Sequence, residues 1–516
     1  MSSRRDAHKN EPPNIVILMP DQMRGDTVNN PFVHIPNIDS IGEDGAVFTK
    51  NFVVYPVCGP SRCCTFTGQY PHDGAHRSLY QLLRPHDENL FKLLKKGGYE
   101  VIWIGRNDLF TEEAGKESVT RKIDNVSSEI REIARVAREK SQDLSEVLAP
   151  YIKMNPYPLD HPWRRSFYYG ERTSQQAEHD YDHGIIRGAL NYLDEYSKSK
   201  RDKPFCLYLA FGFPHPPYTV EEPYFSMYDR NKIPSPFPPE AGGKVNLDDK
   251  PEFMKLIHER YGLVNLKEED FREIRAVYYG MISRVDAQIG QVLDKMKEIG
   301  VYDNTAIVFF SDHGDFAGSY GLTEKWHTCM QDCLVNVPLI VRIPGIKPPR
   351  KNYDGLIQMI DIFPTILEIA GIETPYTHFG KSLLPIMKGE VKTHRDVVFA
   401  EGGHDHHREP QCDEDVISSP EDFRGGIYYD KTNIPLGRPE LMCRTTMIRT
   451  EDWKLVIRSM PGVKEELYNL KEDPHELVNL IDRPEYDGKI RELKEKMLYW
   501  YLQTSDNPHW EHARLL

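Results

Sequence analysis

The sequence predicts an α/β protein: a large, mostly parallel sheet sandwiched by helices, followed by a smaller C-terminal α+β unit. Three observations carry this. Short, unbroken apolar runs recur along the chain and end in polar residues, as strands buried on both faces do. Segments with helical spacing separate them, as parallel strands require crossovers. From about residue 391 that alternation stops, and the remaining segments read as strands closed by one helix. The chain therefore divides into 1–390 and 391–516.

The first run, Asn14 to Met19, ends in Pro20-Asp21-Gln22. In open α/β sheets ligands bind beyond the carboxyl ends of strands, so Asp21 and Gln22 stand where a ligand would be. A helix cap is the alternative use of such an Asp. Asn37 to Ile41 leads through glycines into Val47-Phe48, a strand that reaches Cys58. Leu90 to Lys96 has helical spacing and stops at Gly97-Gly98. Tyr99 to Gly105 is the next strand, with Arg106-Asn107-Asp108 at its end. Residues 112–150 are charged and predict a solvated helical insertion.

His179 to Lys198 predicts an amphipathic helix. The strand Phe205 to Phe211 follows and opens into Pro214-His215-Pro216, where prolines restrict the backbone around the histidine. Residues 219–265 read as a surface excursion. From Phe271 to about Glu298, Ile274, Val277, Tyr278, Met281 and Val285 mark the core face of a long helix. The strand Thr305 to Phe310 then delivers Ser311-Asp312-His313-Gly314, a carboxylate beside an imidazole, with Lys325 shortly after. Val337 to Arg342 is a further strand. Asp361 to Gly371 predicts a helix with a capping Asp and a terminal Gly.

Cys58-Gly59-Pro60-Ser61-Arg62 predicts a proline-stiffened turn carrying a cysteine and a guanidinium fork suited to an oxyanion. Taken alone, a buried cysteine in a loop is the commoner use of such a residue. The net charge of −14 argues against a nucleic-acid partner. No run reaches the length of a membrane span. The eight cysteines, without an export signal, read as thiols. A cytoplasmic protein with no membrane association is expected.

Taken together, Asp21-Gln22, the Cys58 segment, Arg106, His215, Asp312-His313 and Lys325 resemble the type I sulfatases, which have an alkaline-phosphatase-like fold. The stretch Cys58-x-Pro-Ser-Arg62-x-x-x-x-Thr67-Gly68 resembles the signature in which the cysteine is oxidised to formylglycine. Val337-Pro338-Leu339-Ile340-Val341, Asp361-Ile362-Phe363-Pro364-Thr365 and Glu466-Leu467-Tyr468-Asn469-Leu470 resemble further landmarks, so the likeness runs along most of the chain.

The resemblance implies that Asp21, Gln22, the modified Cys58, Asp312 and His313 surround one divalent cation. Mostly oxygen donors favour calcium, with Mg²⁺ or Mn²⁺ as alternatives. It implies hydrolysis of a sulfate ester on a small molecule or saccharide, and a formylglycine-generating enzyme as maturation partner. One hydroxyl of the hydrated aldehyde would attack sulfur, and the second would let the covalent ester collapse. Cys58, Arg62, Arg106, His215 and Lys325 would form the catalytic set, with Asp108 and His404 as substrate contacts.

Two departures bear on substrate identity: Gln22 replaces a second aspartate, and Arg106 and Asp108 replace the usual Lys and His. Glu401 to His407 reads as a pocket rim, with a second metal site as the alternative. A phosphonate monoester or phosphodiester hydrolase of the same superfamily is the alternative function, and a catalytically silent carbohydrate-binding relative the third. A homo-oligomer is compatible with all of these.

Overall fold

The computed structural model describes residues 12–74, 76–79, 81–126, 128–158, 160–200, 202–237, 245–405 and 438–505. In chain order its strands are β1 (Asn14–Asp21), β2 (Ala46–Phe52), β3 (Glu100–Gly105), β4 (Arg121–Ile123), β5 (Tyr168–Glu171), β6 (Phe205–Pro214), β7 (Tyr218–Val220) and β8 (Thr305–Phe310). They continue with β9 (Asn336–Arg342), β10 (Asn352–Tyr353), β11 (Ile357–Gln358), β12 (Val398–Gly402), β13 (Thr445–Arg449), β14 (Trp453–Arg458) and β15 (Glu466–Asn469).

The large sheet has the order β10-β2-β9-β8-β1-β6-β3-β4, with β11 also paired to β2. Its centre is parallel, β8, β1, β6 and β3 all running the same way, while β9 runs against both β8 and β2. The fold is therefore the mostly parallel, mixed sheet expected. The reason β1 reads as an unbroken apolar run is visible in its alternation. Val16 and Leu18 enter the core under the long helix Glu268–Glu298, whereas Ile15, Ile17 and Met19 enter the core on the opposite face. Both faces are covered, so no position is left for a polar residue. The three-residue β4 closes one edge with Arg121 and Lys122 exposed. Charge on a short edge strand discourages pairing with another chain, and so short a strand leaves no readable periodicity.

The smaller sheet, β12-β13-β14-β15, is antiparallel. The closing helix Asp487–Thr504 lies on it, with Trp500 stacked on Phe399 at 4.3 Å between ring centroids. Its core is shared with Val54, Cys64 and Tyr70, so this sheet packs against the segment that carries Cys58. Among the described residues no helix is long and apolar enough to cross a membrane.

Two local expectations are corrected. The Cys58 segment is a helix, Cys58–Thr67, and not a turn. Pro60 falls in its first turn, where the missing N–H has no partner to lose, and Gly68 ends it in the left-handed region at φ 72°. Asp361 does not cap its own helix, Ile362–Ala370. Its fully buried carboxylate instead accepts from the Gln358 N–H at 3.0 Å, the Lys381 N–H at 2.7 Å, His394 Nε2 at 3.0 Å and Arg395 Nε at 2.8 Å.

Burial alone would raise the Asp361 carboxyl, but Arg395 and His394 hold it well below the usual carboxylate range. A carboxylate depressed in this way stabilises the fold above its unfolded pKa of about 4 and loses that contribution as pH falls toward its folded value. Asp361→Asn is therefore expected to cost about 3–5 kcal/mol at neutral pH, by stranding a buried cation. Denaturant titrations of both proteins should show the gap narrowing below about pH 4.

Candidate active site

The carboxyl ends of four adjacent strands, β8, β1, β6 and β3, open onto one point. β1 ends at Asp21. β8 is followed by Asp312 and His313, β6 by His215, and β3 by Arg106 and Asp108. The buried helix Cys58–Thr67 brings Cys58 there at its first residue. Ser61 Oγ donates to the Asp312 carbonyl at 2.6 Å, tying the helix to the β8 end. The hydroxyls of Thr65 and Thr67 donate to carbonyls one turn back, which satisfies them inside the core.

Asp21, Cys58, Asp312 and His313 each offer one ligand atom, all within 4.8 Å of one another, and all four are buried. Cys58 Sγ lies 3.1 Å from His313 Nε2 and 3.6 Å from Asp21 Oδ1. His313 Nδ1 faces the Gly314 carbonyl at 2.9 Å. A carbonyl only accepts, so Nδ1 carries the proton and Nε2 presents its lone pair to the cluster. Arg62, fully buried, spans the two carboxylates: Nε donates to Asp312 Oδ2 and Nη2 to Asp21 Oδ2, both at 2.8 Å. Its Nη1 is buried without a hydrogen bond and sits 3.4 Å from Asp108 Oδ2. Two carboxylates and an imidazole lone pair converging on one point fit a hard divalent cation.

Gln22 reaches the cluster through its backbone, whose N–H donates to Asp312 Oδ1 at 3.1 Å. Its φ of 72° is rare for a residue with a side chain. The Gln22 side-chain oxygen accepts from Lys325 Nζ at 2.7 Å. Arg106, partly exposed, contacts Asp21 at 3.2 Å and Asp108 at 2.6 Å. Asp108 thus lies between two guanidinium groups and orients Arg106. His215 Nδ1 faces the Pro216 carbonyl at 2.6 Å, which makes Nε2 its free nitrogen. Asp182 secures the strand end before it, accepting from the Gly212 and Phe213 N–H groups at 2.6 and 2.9 Å. Burial and the neighbouring Asp180 push the Asp182 carboxyl up to about 6.

The electrostatics follow from burial among charges. Burial works against ionisation of Asp21, but the Arg106 and Arg62 cations beside it outweigh it and hold its carboxyl well below the ordinary range. Burial, then the Asp21 charge, pushes the Cys58 thiol well above its ordinary value. An unmodified thiol here is a poor nucleophile, since the thiolate is the reactive form. Burial and the Lys325 cation lower His215, leaving it neutral.

His404 is buried, and its backbone N–H donates to the Met442 carbonyl at 2.8 Å. Glu401 belongs to no second metal cluster among the described residues. Its carboxylate pairs with Arg77 and, at 2.5 Å, with His72 Nδ1. His406 and His407 lie outside the described residues. Sequence reading did not single out Asp315, Glu324 or Tyr218, which surround Gln22 and Lys325. Asp315 and Glu324 sit beside residues that were read. Tyr218 carries no sequence signal.

Comparison with known proteins agrees with this geometry. Residues 13–372 match the family model described as "Sulfatase", and residues 415–503 match "N-sulphoglucosamine sulphohydrolase, C-terminal". The chain is 28% identical to the multifunctional alkaline phosphatase superfamily protein PehA of Trinickia caryophylli, over 96% of both chains. It is 26% identical to an arylsulfatase of Clostridium perfringens, over 98% of this chain and 97% of that one. In structure it is similar to a phosphonate monoester hydrolase of Agrobacterium radiobacter, with a TM-score of 0.74 and 23% identity over 95% of this chain and 96% of that one. With most of its length matched by the family model and the strand ends arranged as described, the chain belongs to the sulfatase family.

Proposed function

We propose that this protein hydrolyses a sulfate monoester at residue 58, after conversion of Cys58 to formylglycine by a formylglycine-generating enzyme. The observation that carries this reading is the convergence of Asp21, Asp312 and His313 on the Cys58 side chain, with Arg62 spanning the carboxylates. Calcium, or Mg²⁺ or Mn²⁺ in its place, would be held by Asp21, Asp312, His313 and residue 58, with Gln22 beside them, and would polarise the ester and acidify an oxygen nucleophile. Arg62 fixes the two carboxylates in place through its Nε and Nη2 hydrogen bonds. Lys325 and Arg106 supply positive charge for the oxygens of the transferred group, where charge develops in the transition state. His215, with its Nδ1–H donated to the Pro216 carbonyl, presents an Nε2 lone pair that would take the proton of the attacking hydroxyl and return it to the departing alcohol oxygen. Asp108 aims Arg106, and His404 remains a candidate substrate contact.

A sulfate monoester carries one negative charge, whereas a phosphate monoester carries about 1.5 to 2 at neutral pH. A phosphonate monoester and a phosphodiester share the single charge and tetrahedral shape of the sulfate. The name of the Agrobacterium enzyme, a phosphonate monoester hydrolase, favours these as a second reading. Steady-state turnover of 4-nitrophenyl sulfate against 4-nitrophenyl phenylphosphonate separates the two. The sulfate is expected to give the higher kcat/KM, by about tenfold or more, roughly the effect of 1.4 kcal/mol in the barrier. A higher value for the phosphonate would replace the first reading with the second. We further propose a cytoplasmic location, supported by cysteines too sparse and unevenly spaced for a disulfide framework.

A further inference from the structure

Five residues that the sulfatase signature does not link form a hydrogen-bonded ring behind the site, closed through the Glu324 backbone N–H. Lys325 Nζ donates to Glu324 Oε1 and to Gln22 Oε1, each at 2.7 Å. Gln22 Nε2 donates to Asp315 Oδ2 at 2.5 Å. Tyr218 Oη donates to Asp315 Oδ1 at 2.7 Å and accepts from the Glu324 backbone N–H at 3.0 Å. Glu324 Oε2 also accepts from the Lys325 backbone N–H at 2.7 Å. Gln22, Tyr218, Asp315 and Glu324 are fully buried, and Lys325 is nearly so.

Each member of the ring dictates its neighbour's chemistry. An ammonium can only donate, so the Gln22 atom that meets Lys325 must be the amide oxygen. With the oxygen taken by Lys325, the amide nitrogen is the atom left to donate to Asp315. A carboxylate at position 22 would satisfy Lys325 but would take away the N–H that Asp315 accepts and bring a second buried carboxyl group against it. The glutamine found where many sulfatases carry a second aspartate is thus matched to Asp315. Glu324 is held at φ 66°, a left-handed conformation that costs free energy and here lets one carboxylate grip both the backbone and the side chain of Lys325.

We propose that Asp315 and Glu324 are positioning residues of the hydrolytic site: acting through Gln22 and directly, they fix the Lys325 ammonium at the height where it meets the transferred group. This rests on the role given above to Lys325. The ring itself can be judged separately from it. The test is a double-mutant cycle on positions 22 and 315, with Glu324→Gln as an independent probe. Gln22→Glu is expected to lower the melting temperature and to reduce kcat about a hundredfold. Adding Asp315→Asn restores complementarity, because the new amide nitrogen donates to the carboxylate introduced at position 22 while its oxygen still accepts from Tyr218.

The double variant should therefore recover both melting temperature and kcat to within about tenfold of the wild type. Glu324→Gln sets an amide N–H against a donor of Lys325, and should lower kcat about tenfold or more with KM changed less. Melting temperatures that simply add across the cycle would overturn the ring, and that readout needs no substrate. Coupled melting temperatures with kcat unchanged in every variant would overturn the positioning role, on whichever ester the wild type turns over.

Discussion

Arg62→Ala is expected to destabilise the protein by about 3–5 kcal/mol, because it strips the buried Asp312 carboxylate of its guanidinium and leaves Asp21 with Arg106 alone. Both Asp21 and Asp312 take their 2.8 Å contacts from this one guanidinium, and all three side chains are almost completely inaccessible. Arg62→Lys should recover only part of the loss. An ammonium keeps the charge, but it cannot present the planar fork that reaches both carboxylates at once. Urea titrations of the three proteins give the stabilities directly. Because the carboxylates survive in the alanine variant, added Ca²⁺ should stabilise it, through ligand binding to the native state. If Arg62→Ala unfolds at wild-type urea concentrations, the two carboxylates are not held as charged ligands by this arginine.

The second large effect is at residue 58. Cys58→Ala removes one atom from a buried position, so the variant is expected to fold with a loss of about 1 kcal/mol. Its turnover of the preferred ester should drop by about 10⁴-fold or more, as losses of a nucleophile do. Cys58→Ser is the sharper variant. It restores an oxygen nucleophile of the same shape but carries only one hydroxyl, so a covalent ester formed on it has no second hydroxyl to expel the acid. At most one equivalent of alcohol should be released, followed by arrest, and quench-flow measurement of released 4-nitrophenol would show it. Sustained turnover by either variant would remove residue 58 from the chemistry.

Which parts of this were legible in the sequence follows from what each residue contacts. The strand runs were readable because both faces of the sheet are covered, so β1, β6 and β8 have no polar position to interrupt them. The residues gathered at the strand ends were readable because a parallel sheet delivers chain-distant residues to one edge. The helix at Cys58 was not, since Gly59 and Pro60 in a first turn carry the same local signals as a loop. Asp361 looked like a cap because its partners, Lys381, His394 and Arg395, lie beyond the helix it begins. The ring through Gln22 was invisible for the same reason. Its members sit at positions 22, 218, 315, 324 and 325, and only the fold closes them. Even so, the glutamine that reads as a departure was the residue that marked it.

The central claim is that the encoded thiol of Cys58 is a precursor and not the nucleophile. Its surroundings support this, since burial beside Asp21 disfavours the thiolate while Arg62, His313 and the carboxylates are arranged around that same side chain. Mass spectrometry of the peptide containing residue 58, taken from active protein purified from its native host, tests it most directly. Residue 58 is expected to have lost its sulfur and to carry an aldehyde that reacts with hydrazide reagents. A residue 58 that is wholly cysteine in fully active protein would contradict the claim.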